Sequence, residues 1–241
     1  MGAVYRLTLR QLSGKWRLLI MAVLSTLPAI IAFVMLGQRE APSVTDFENA
    51  ILNRMLAGSI TPLIVLATAA AAFANEIEDR TLANLTLAPI PRWQIVVPKL
   101  LATITVAAPF VVVSAFATSH IAFLADNTAT TAVTVSALVS VALYASAFVW
   151  LGLVSAQAVG LGLLYIVLWE GFFSGFVAGV RLLSIRHYAI ALMNAIDPRR
   201  FATDFRGSDA IQLSVVIGMC VLVIAGFTLL SVRRLRRMDV P

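Results

Sequence analysis

The stretch LLATITVAAPFVVVSAFATSHIAFL, residues 100–124, decides the fold class because it contains no Asp, Glu, Lys or Arg. A helix needs roughly 20 consecutive apolar residues to cross the hydrocarbon core of a bilayer, and this run is long enough. A transmembrane β-strand would alternate apolar and polar residues, which this run does not do. The stretch therefore predicts a membrane-spanning helix.

Similar apolar runs occur along the whole chain of 241 residues, of which 60% are apolar and 12% are charged. The mean hydropathy of +0.93 would make a soluble domain of this size insoluble. The predicted spans are residues 18–36, 55–74, 100–124, 132–154, 159–180 and 211–232. The fourth and fifth must fold back near residues 155–160, because one helix over both would measure roughly 70 Å. We predict an all-α polytopic membrane protein with one transmembrane domain over residues 1–241.

The distribution of basic residues predicts which side of the membrane each loop occupies. Residues 1–17, the loop 75–99 and the carboxyl-terminal tail together hold eleven Lys and Arg, whereas the opposite face holds seven. Five of those seven lie in residues 181–210. Because loops rich in Lys and Arg stay in the cytoplasm, we predict a multi-pass protein of the cell (inner) membrane with both termini cytoplasmic. The net charge of +6 fits this topology and needs no nucleic-acid partner.

Residues 1–17 have the pattern of an amphipathic helix that lies in the cytoplasmic membrane interface. One face of this helix is apolar and the neighbouring face carries arginines that reach lipid headgroups. The alternative is a basic tail that only sets the topology. The predicted interface residues are Tyr5, Arg6, Leu9, Arg10, Leu12, Trp16 and Arg17.

The loop 75–99 reads NEIEDRTLANLTLAPIPRWQIVVPK and is unusually polar for this chain. Glu76 and Arg80 have the spacing of a favourable helical ion pair, and Asp79 can cap a short helix that follows it. Leu82 and Leu85 would share one face of that helix, which Pro89 would end. A plain connector between two spans would need only a few residues. We therefore predict a capped helix that displays a contact surface, with an ordinary solvated loop as the alternative.

The pattern Glu76-x-Glu78-x-x-Thr81, followed by a leucine-rich turn, Pro89, Arg92 and Lys99, resembles the signature of type-2 ABC transporter permeases. It departs from that signature at Arg80, where glycine is frequent, and at Thr86, which replaces a leucine. The resemblance implies a permease domain whose loop 75–99 is a coupling helix docked into an ATPase subunit. The residues that it assigns to this contact are Glu76, Glu78, Asp79, Arg80, Thr81, Leu82, Leu85, Pro89 and Arg92.

The resemblance also implies two permease copies, identical or paralogous, and two ATPase subunits around one pathway. A P-loop needs glycines followed by Lys and Ser or Thr. The only lysines are Lys15 and Lys99, and Gly14-Lys15 is followed by Trp16. We therefore expect no catalytic residue, metal or cofactor in this chain, and expect ATP and Mg in the partner ATPase.

Glu170 lies at the middle of the predicted fifth span, where an ionisable side chain is costly and commonly functional. We leave two interpretations open, a carboxyl that lines the transport pathway and a structural carboxyl bonded to a neighbouring helix. Gly171, Gly175 and Gly179 form two overlapping G-x-x-x-G patterns, which permit close helix packing within the chain or between permease copies.

Residues 181–210 begin with an amphipathic stripe of Ile185, Tyr188, Leu192 and Ile196, which Asp197-Pro198 should end. The segment is too short and too charged to span the membrane. By resemblance it forms external re-entrant helices, and the alternative is an ordinary interfacial helix.

The function predicted from these features is export of an amphiphilic, drug-like, lipid-like or peptide substrate from the cytoplasm. The alternative is a stand-alone channel, or a secondary carrier that uses Glu170 to move protons. Paired inverted repeats with broken helices are common in secondary carriers, and no such repeat is visible in the sequence.

Overall fold

The computed structural model describes residues 1–37, 47–78, 91–123, 126–155, 157–173, 184–201 and 213–237. Regular secondary structure throughout these ranges is helical, as predicted. The elements are α1 Gly2–Leu12, α2 Lys15–Leu36, α3 Glu48–Ile60, α4 Thr61–Ala69, α5 Ala71–Glu78, α6 Trp93–Ala122, α7 Asn127–Val154, α8 Ala158–Leu164, α9 Tyr165–Phe173, α10 Ile185–Ile196, α11 Pro198–Phe201 and α12 Leu213–Arg237. Two of them, α3 and α9, have the wider π-helical hydrogen-bond pattern.

Five stretches are long and apolar enough to cross a bilayer, and they coincide with five of the six predicted spans. These stretches are Lys15–Leu36, Ala50–Phe73, Trp93–Ala122, Asn127–Val154 and Leu213–Arg237. At the predicted fifth span the structure describes a shorter apolar helix, Ala158–Phe172. Residues 174–180 lie outside the described residues, so the sixth crossing stays a prediction.

The helix α7 forms the centre of the bundle and packs against α4, α6, α10 and α12. Glycine permits the closest of these approaches. A Cβ on Gly152 of α7 would lie 3.0 Å from the carbonyl oxygen of Ala70, and one on Gly162 of α8 would lie 2.3 Å from Cδ1 of Leu66. The segment Ala50–Phe73 is therefore held tightly between α7 and α8. By contrast, most of α2 and α12 is exposed apolar surface.

The amino-terminal segment is two helices, because α1 ends at Leu12 and α2 begins at Lys15. Thr8 and Leu12 are buried, and the Tyr5 hydroxyl lies 3.0 Å from Oγ1 of Thr105, so α1 packs on α6. Trp16 belongs to α2 and is 79% exposed. The helical stripe predicted over Tyr5, Leu9, Leu12 and Trp16 therefore stops at Leu12.

Candidate functional site

Glu76 and Lys99 form a buried ion pair at the base of the polar loop. Glu76 lies on α5 and is 5% exposed, and Lys99 lies on α6 and is fully buried. The Lys99 ammonium donates to Oε1 of Glu76 over 2.6 Å. It also donates to the Ala72 carbonyl and lies 4.4 Å from the centre of the Phe73 ring. A single cation thus contacts three residues on one side of α5.

This pair joins the two ends of the polar loop, since Glu76 precedes residues 79–90 and Lys99 follows them. The favourable contact predicted for Glu76 was with Arg80 four residues later, and the structure directs its carboxylate to Lys99. Its second oxygen, Oε2, accepts no hydrogen bond from the residues that the structure describes. The burial of Glu76 leaves little of its side chain exposed for contact with a partner. Its contact with an ATPase stays a prediction.

The remaining residues of the predicted ATPase contact are only partly described. Arg92 is half-buried at the residue before α6, next to an exposed Trp93. The side chain of Glu78 lies outside the described part of the chain. So do all atoms of Asp79, Arg80, Thr81, Leu82, Leu85 and Pro89. The coupling helix therefore remains a prediction. The structure describes Glu76 before it and Lys99 after it, joined by their ion pair.

Glu170 is the second buried carboxylate, and it is fully inaccessible. Its Oε1 accepts from the hydroxyls of Tyr144 at 3.2 Å and Tyr165 at 3.0 Å. The same oxygen accepts from the backbone N–H groups of Ile185 at 3.0 Å and Arg186 at 3.4 Å. Oε2 accepts from the Ser184 hydroxyl at 2.5 Å. We call these five donors, together with the carboxylate, the Glu170 cradle.

The Glu170 cradle caps the amino terminus of α10. The first N–H groups of a helix have no partner within it, and this end of the helix dipole attracts negative charge. Glu170 accepts from two of those groups, and the Ser184 hydroxyl accepts from the third, on His187. The carboxylate therefore fixes the start of α10 against Tyr144 of α7. This arrangement favours the second interpretation of Glu170, a structural carboxyl bonded to a neighbouring helix.

The course of α10 follows from contacts at its two ends. Its first turn meets Tyr144 through Glu170, and Phe201 of α11 contacts the ring of Phe123, just after α6, edge-on at 5.9 Å. Between these points α10 packs along α7. It ends at Ile196 with Asp197 at its carboxyl-terminal cap, the end point that the sequence predicts.

Only one of the three glycines in the predicted G-x-x-x-G patterns lies within the described residues. Gly171 is exposed, and a Cβ there would meet only the Ile166 carbonyl of its own helix, at 3.6 Å. Gly175 and Gly179 lie outside the described residues. Gly171 thus makes no close helix contact within the described chain, and such contacts occur instead at Gly152 and Gly162. Sequence reasoning missed these two glycines because each occurs without the repeated spacing that identifies a packing motif.

Two of the three predicted interface arginines lie on α1, and the third lies on α2. Arg6 and Arg10 are exposed, whereas Leu9 is partly buried and Leu12 fully buried against α6. Arg17, on α2, donates to the Gln11 carbonyl at 3.3 Å and so closes the turn between the two helices. The arrangement is amphipathic as predicted, and a position in the membrane interface stays a prediction.

A family model described as "ABC-2 family transporter protein" matches residues 7–185 of this chain. The matched region is about three-quarters of the sequence and includes Glu76, Lys99, Glu170 and Ser184. No curated protein sequence matches the chain.

Proposed function

Because this chain belongs to the ABC-2 transporter family, we propose that it is the membrane-spanning subunit of an ATP-driven exporter. Membership makes it a multi-pass permease component of an ABC transporter, and confirms the resemblance seen in the sequence. Permeases of this family work with an ABC ATPase subunit. The proposal adds export as the direction, two permease copies with two ATPase subunits, and ATP with Mg bound in the partner.

The Glu76–Lys99 ion pair is the observation that carries this proposal. A loop that receives force from a soluble partner must be connected rigidly to the helices that move. The pair clamps both ends of the loop 75–99 together at the point where α5 and α6 leave it. Displacement of the loop is then transmitted to both helices at once. Residues 75–99 serve as the coupling element in this proposal. Glu76 holds the ion pair at its base, and the other eight predicted contact residues dock on the ATPase.

The Glu170 cradle supports the proposed external re-entrant segment. Tyr144 lies 17 residues along α7 from its first residue, Asn127, so α10 begins deep beside this helix. Phe123, next to Phe201, lies at the other end of the same bundle. A helix that starts deep and leaves at the external surface is the outward limb of a re-entrant loop. Both termini and the loop 75–99 are then cytoplasmic, in the inner membrane.

The composition of the spans supports an amphiphilic substrate. The predicted spans are rich in Ala, Val and Leu, with scattered Ser and Thr and few charges. The competing carrier mechanism requires Glu170 to exchange protons with water. The Glu170 cradle disfavours it, because the carboxylate is fully buried and held by five donors.

Co-purification of the full chain with an ABC ATPase subunit tests the proposal. Charge reversal at Glu78 and Asp79 should reduce complex formation and the stimulation of ATPase activity. The matched control is Arg236→Glu, which reverses one exposed charge at the end of α12 without touching the loop. Normal assembly and coupling after disruption of the whole loop helix would contradict the proposal.

Labelling of single cysteines tests the topology, in a variant whose only native cysteine, Cys220, is replaced. Thr81→Cys should react only from the cytoplasm and Ser208→Cys only from outside. Reaction of Ser208→Cys from the cytoplasm alone would overturn the six-span topology.

A further inference from the structure

A small cleft opens between the segment Ala50–Phe73, α7 and α10, and we call it the Thr61 cleft. Three residues with hydroxyl groups line it, Thr61, Ser136 and Ser140. Apolar side chains form the walls, among them Leu56, Ala137 and Met193. Thr61 lies at the middle of Ala50–Phe73, and Ser140 lies at the middle of α7. The hydroxyls are therefore at the depth where a bilayer offers no water.

Thr61 differs from the two serines in its hydrogen bonding. The Ser136 hydroxyl donates to the Val133 carbonyl at 2.9 Å, and the Ser140 hydroxyl donates to the Ser136 carbonyl at 2.7 Å. Thr61 is only 1% exposed, and its hydroxyl has no hydrogen-bond partner among the described residues. A buried hydroxyl left without a partner is costly, and each such group in a structure calls for an explanation.

The backbone beside Thr61 provides a matching acceptor. Thr61 N–H donates to the Leu56 carbonyl five residues earlier, in the π-helical pattern of α3. In the same pattern the Ala57 carbonyl would accept from residue 62, which is Pro62 and has no N–H. Ala57 lines the cleft together with Thr61. The break in this span thus places the Thr61 hydroxyl one helical turn from the Ala57 carbonyl, and Pro62 occupies the position of that carbonyl's π-helical donor.

We propose that the Thr61 cleft binds the uncharged polar group of an amphiphile, a hydroxyl or an amide. Such a group both donates and accepts, so it can bond the Ala57 carbonyl and the Thr61 hydroxyl together. The attached alkyl chain lies against Leu56 and Met193. A charged group is excluded because none of the lining residues is charged and an unpaired buried charge is strongly unfavourable.

The anchoring of α10 determines the shape of this cleft. Ala189, Ile190 and Met193 of α10 form one wall, and the start of the same helix is fixed by Glu170. Occupancy of the Thr61 cleft is independent of the proposed export function, because the site is complete within one chain. Its test therefore uses a binding readout and requires neither ATP nor a partner subunit.

Photolabelling of the full chain in phosphatidylcholine nanodiscs tests the proposal, with an octanol that carries a diazirine on its alkyl chain as the probe. Peptides containing Leu56 or Met193 should be labelled, and excess 1-octanol should suppress that labelling. Thr61→Val keeps the shape of the side chain and removes the hydroxyl. It should weaken binding about fivefold, the effect of one neutral hydrogen bond. Thr228→Val is the matched control, because that hydroxyl already donates to the Ile224 carbonyl at 2.7 Å.

A second variant, Ala57→Leu, fills the Thr61 cleft without removing a polar group and should abolish the same labelling. Labelling that excess 1-octanol does not suppress would show partition into lipid, and would overturn the proposal. Equal labelling of the Thr61→Val and unaltered chains would also overturn it. Absence of label from the cleft would mean that Thr61 is satisfied by water, and the proposal would be wrong.

Discussion

Two glutamates are buried in the described part of this apolar chain, and they are held in different ways. Glu76 is paired with a cation on the next helix, and one of its oxygens accepts nothing from the described residues. Glu170 accepts from three hydroxyls and two backbone N–H groups, and both of its oxygens are used. The first arrangement depends on one ion pair, whereas the second is distributed over several weaker bonds.

The difference indicates what each carboxylate does. An ion pair joins two points across a loop, and removal of either partner leaves a charge buried alone. The five hydrogen bonds of the Glu170 cradle join α7, α9 and the start of α10, and removal of one leaves the others in place. The Glu76–Lys99 pair is therefore suited to transmitting a displacement of the loop to two helices. The Glu170 cradle is suited to holding the start of α10 in one position. Mutations at the two sites should differ in size and in how readily they can be rescued.

The largest loss of stability should follow Lys99→Met, because Glu76 then remains buried without its cation. We expect the free energy of unfolding to fall by about 3–5 kcal/mol, the usual cost of breaking a buried pair from one side. Denaturant unfolding of the purified chain in detergent measures it. The double variant Glu76→Leu/Lys99→Met should recover most of the loss, since apolar side chains can replace such a pair. Equal instability of the single and double variants would contradict this account.

Replacement of Glu170 should have a smaller and graded effect. Glu170→Gln keeps an acceptor oxygen for the two N–H groups of α10, so we expect a loss of about 1–2 kcal/mol and partial retention of transport. Glu170→Ala removes the acceptor from all five donors and should lose more stability and more transport. Restoration by Gln and not by Ala identifies a structural role. Failure of both in an assembled complex would show that the charge itself is needed.

Removal of one donor from the Glu170 cradle should cost less again. Tyr165→Phe deletes one of five hydrogen bonds, and we expect a loss of about 1 kcal/mol. Tyr144→Phe should behave similarly, and the double variant should lose at least the sum of the two, because both hydroxyls bond the same oxygen. Thermal unfolding of the three variants measures this. If either single variant lost as much free energy of unfolding as Lys99→Met, the stability of the Glu170 cradle would depend on one hydrogen bond and not on several.

The smallest effect should come from Tyr5→Phe, which removes the hydrogen bond between α1 and Thr105. This bond is at the exposed surface, so its loss should change the free energy of unfolding by less than about 0.5 kcal/mol. The variant supplies the baseline for the other three. Protease cleavage near Ser13 measures whether α1 still packs on α6, and faster cleavage would indicate that the single bond holds the helix.

The sequence predicts the long elements of this fold well because their signal is local. Five predicted spans agree with helices of the structure to within seven residues at each end. The bounds of α10 agree more closely, since Ser184 can cap a helix and Asp197-Pro198 ends one. Glu170 was identifiable because a single carboxylate in an apolar run is conspicuous.

The contacts of the two carboxylates could not be predicted in the same way. Glu76 and Lys99 are separated by 23 residues, and Glu170 and Tyr144 by 26, so only the packing of separate helices brings them together. One signal for the ion pair was present. Lys99 is one of only two lysines, and it stands where an apolar run begins. The sequence also contains Ser13-Gly14, a pair that commonly interrupts a helix. Its use as a helix boundary would have placed Trp16 on the second helix.

The Glu170 cradle has a consequence for how the chain is made. Translation delivers Tyr144 and Tyr165 before Glu170, but Ser184, Ile185 and Arg186 follow it by 14 to 16 residues. While those last donors are still inside the ribosome, the two tyrosine hydroxyls are the members of the Glu170 cradle that have already emerged. We therefore expect the segment that carries Glu170 to complete its insertion only after residue 186 has emerged. A chain truncated before Ser184 and released from the ribosome should leave this segment exposed at the membrane surface, whereas one that extends through α10 should protect it.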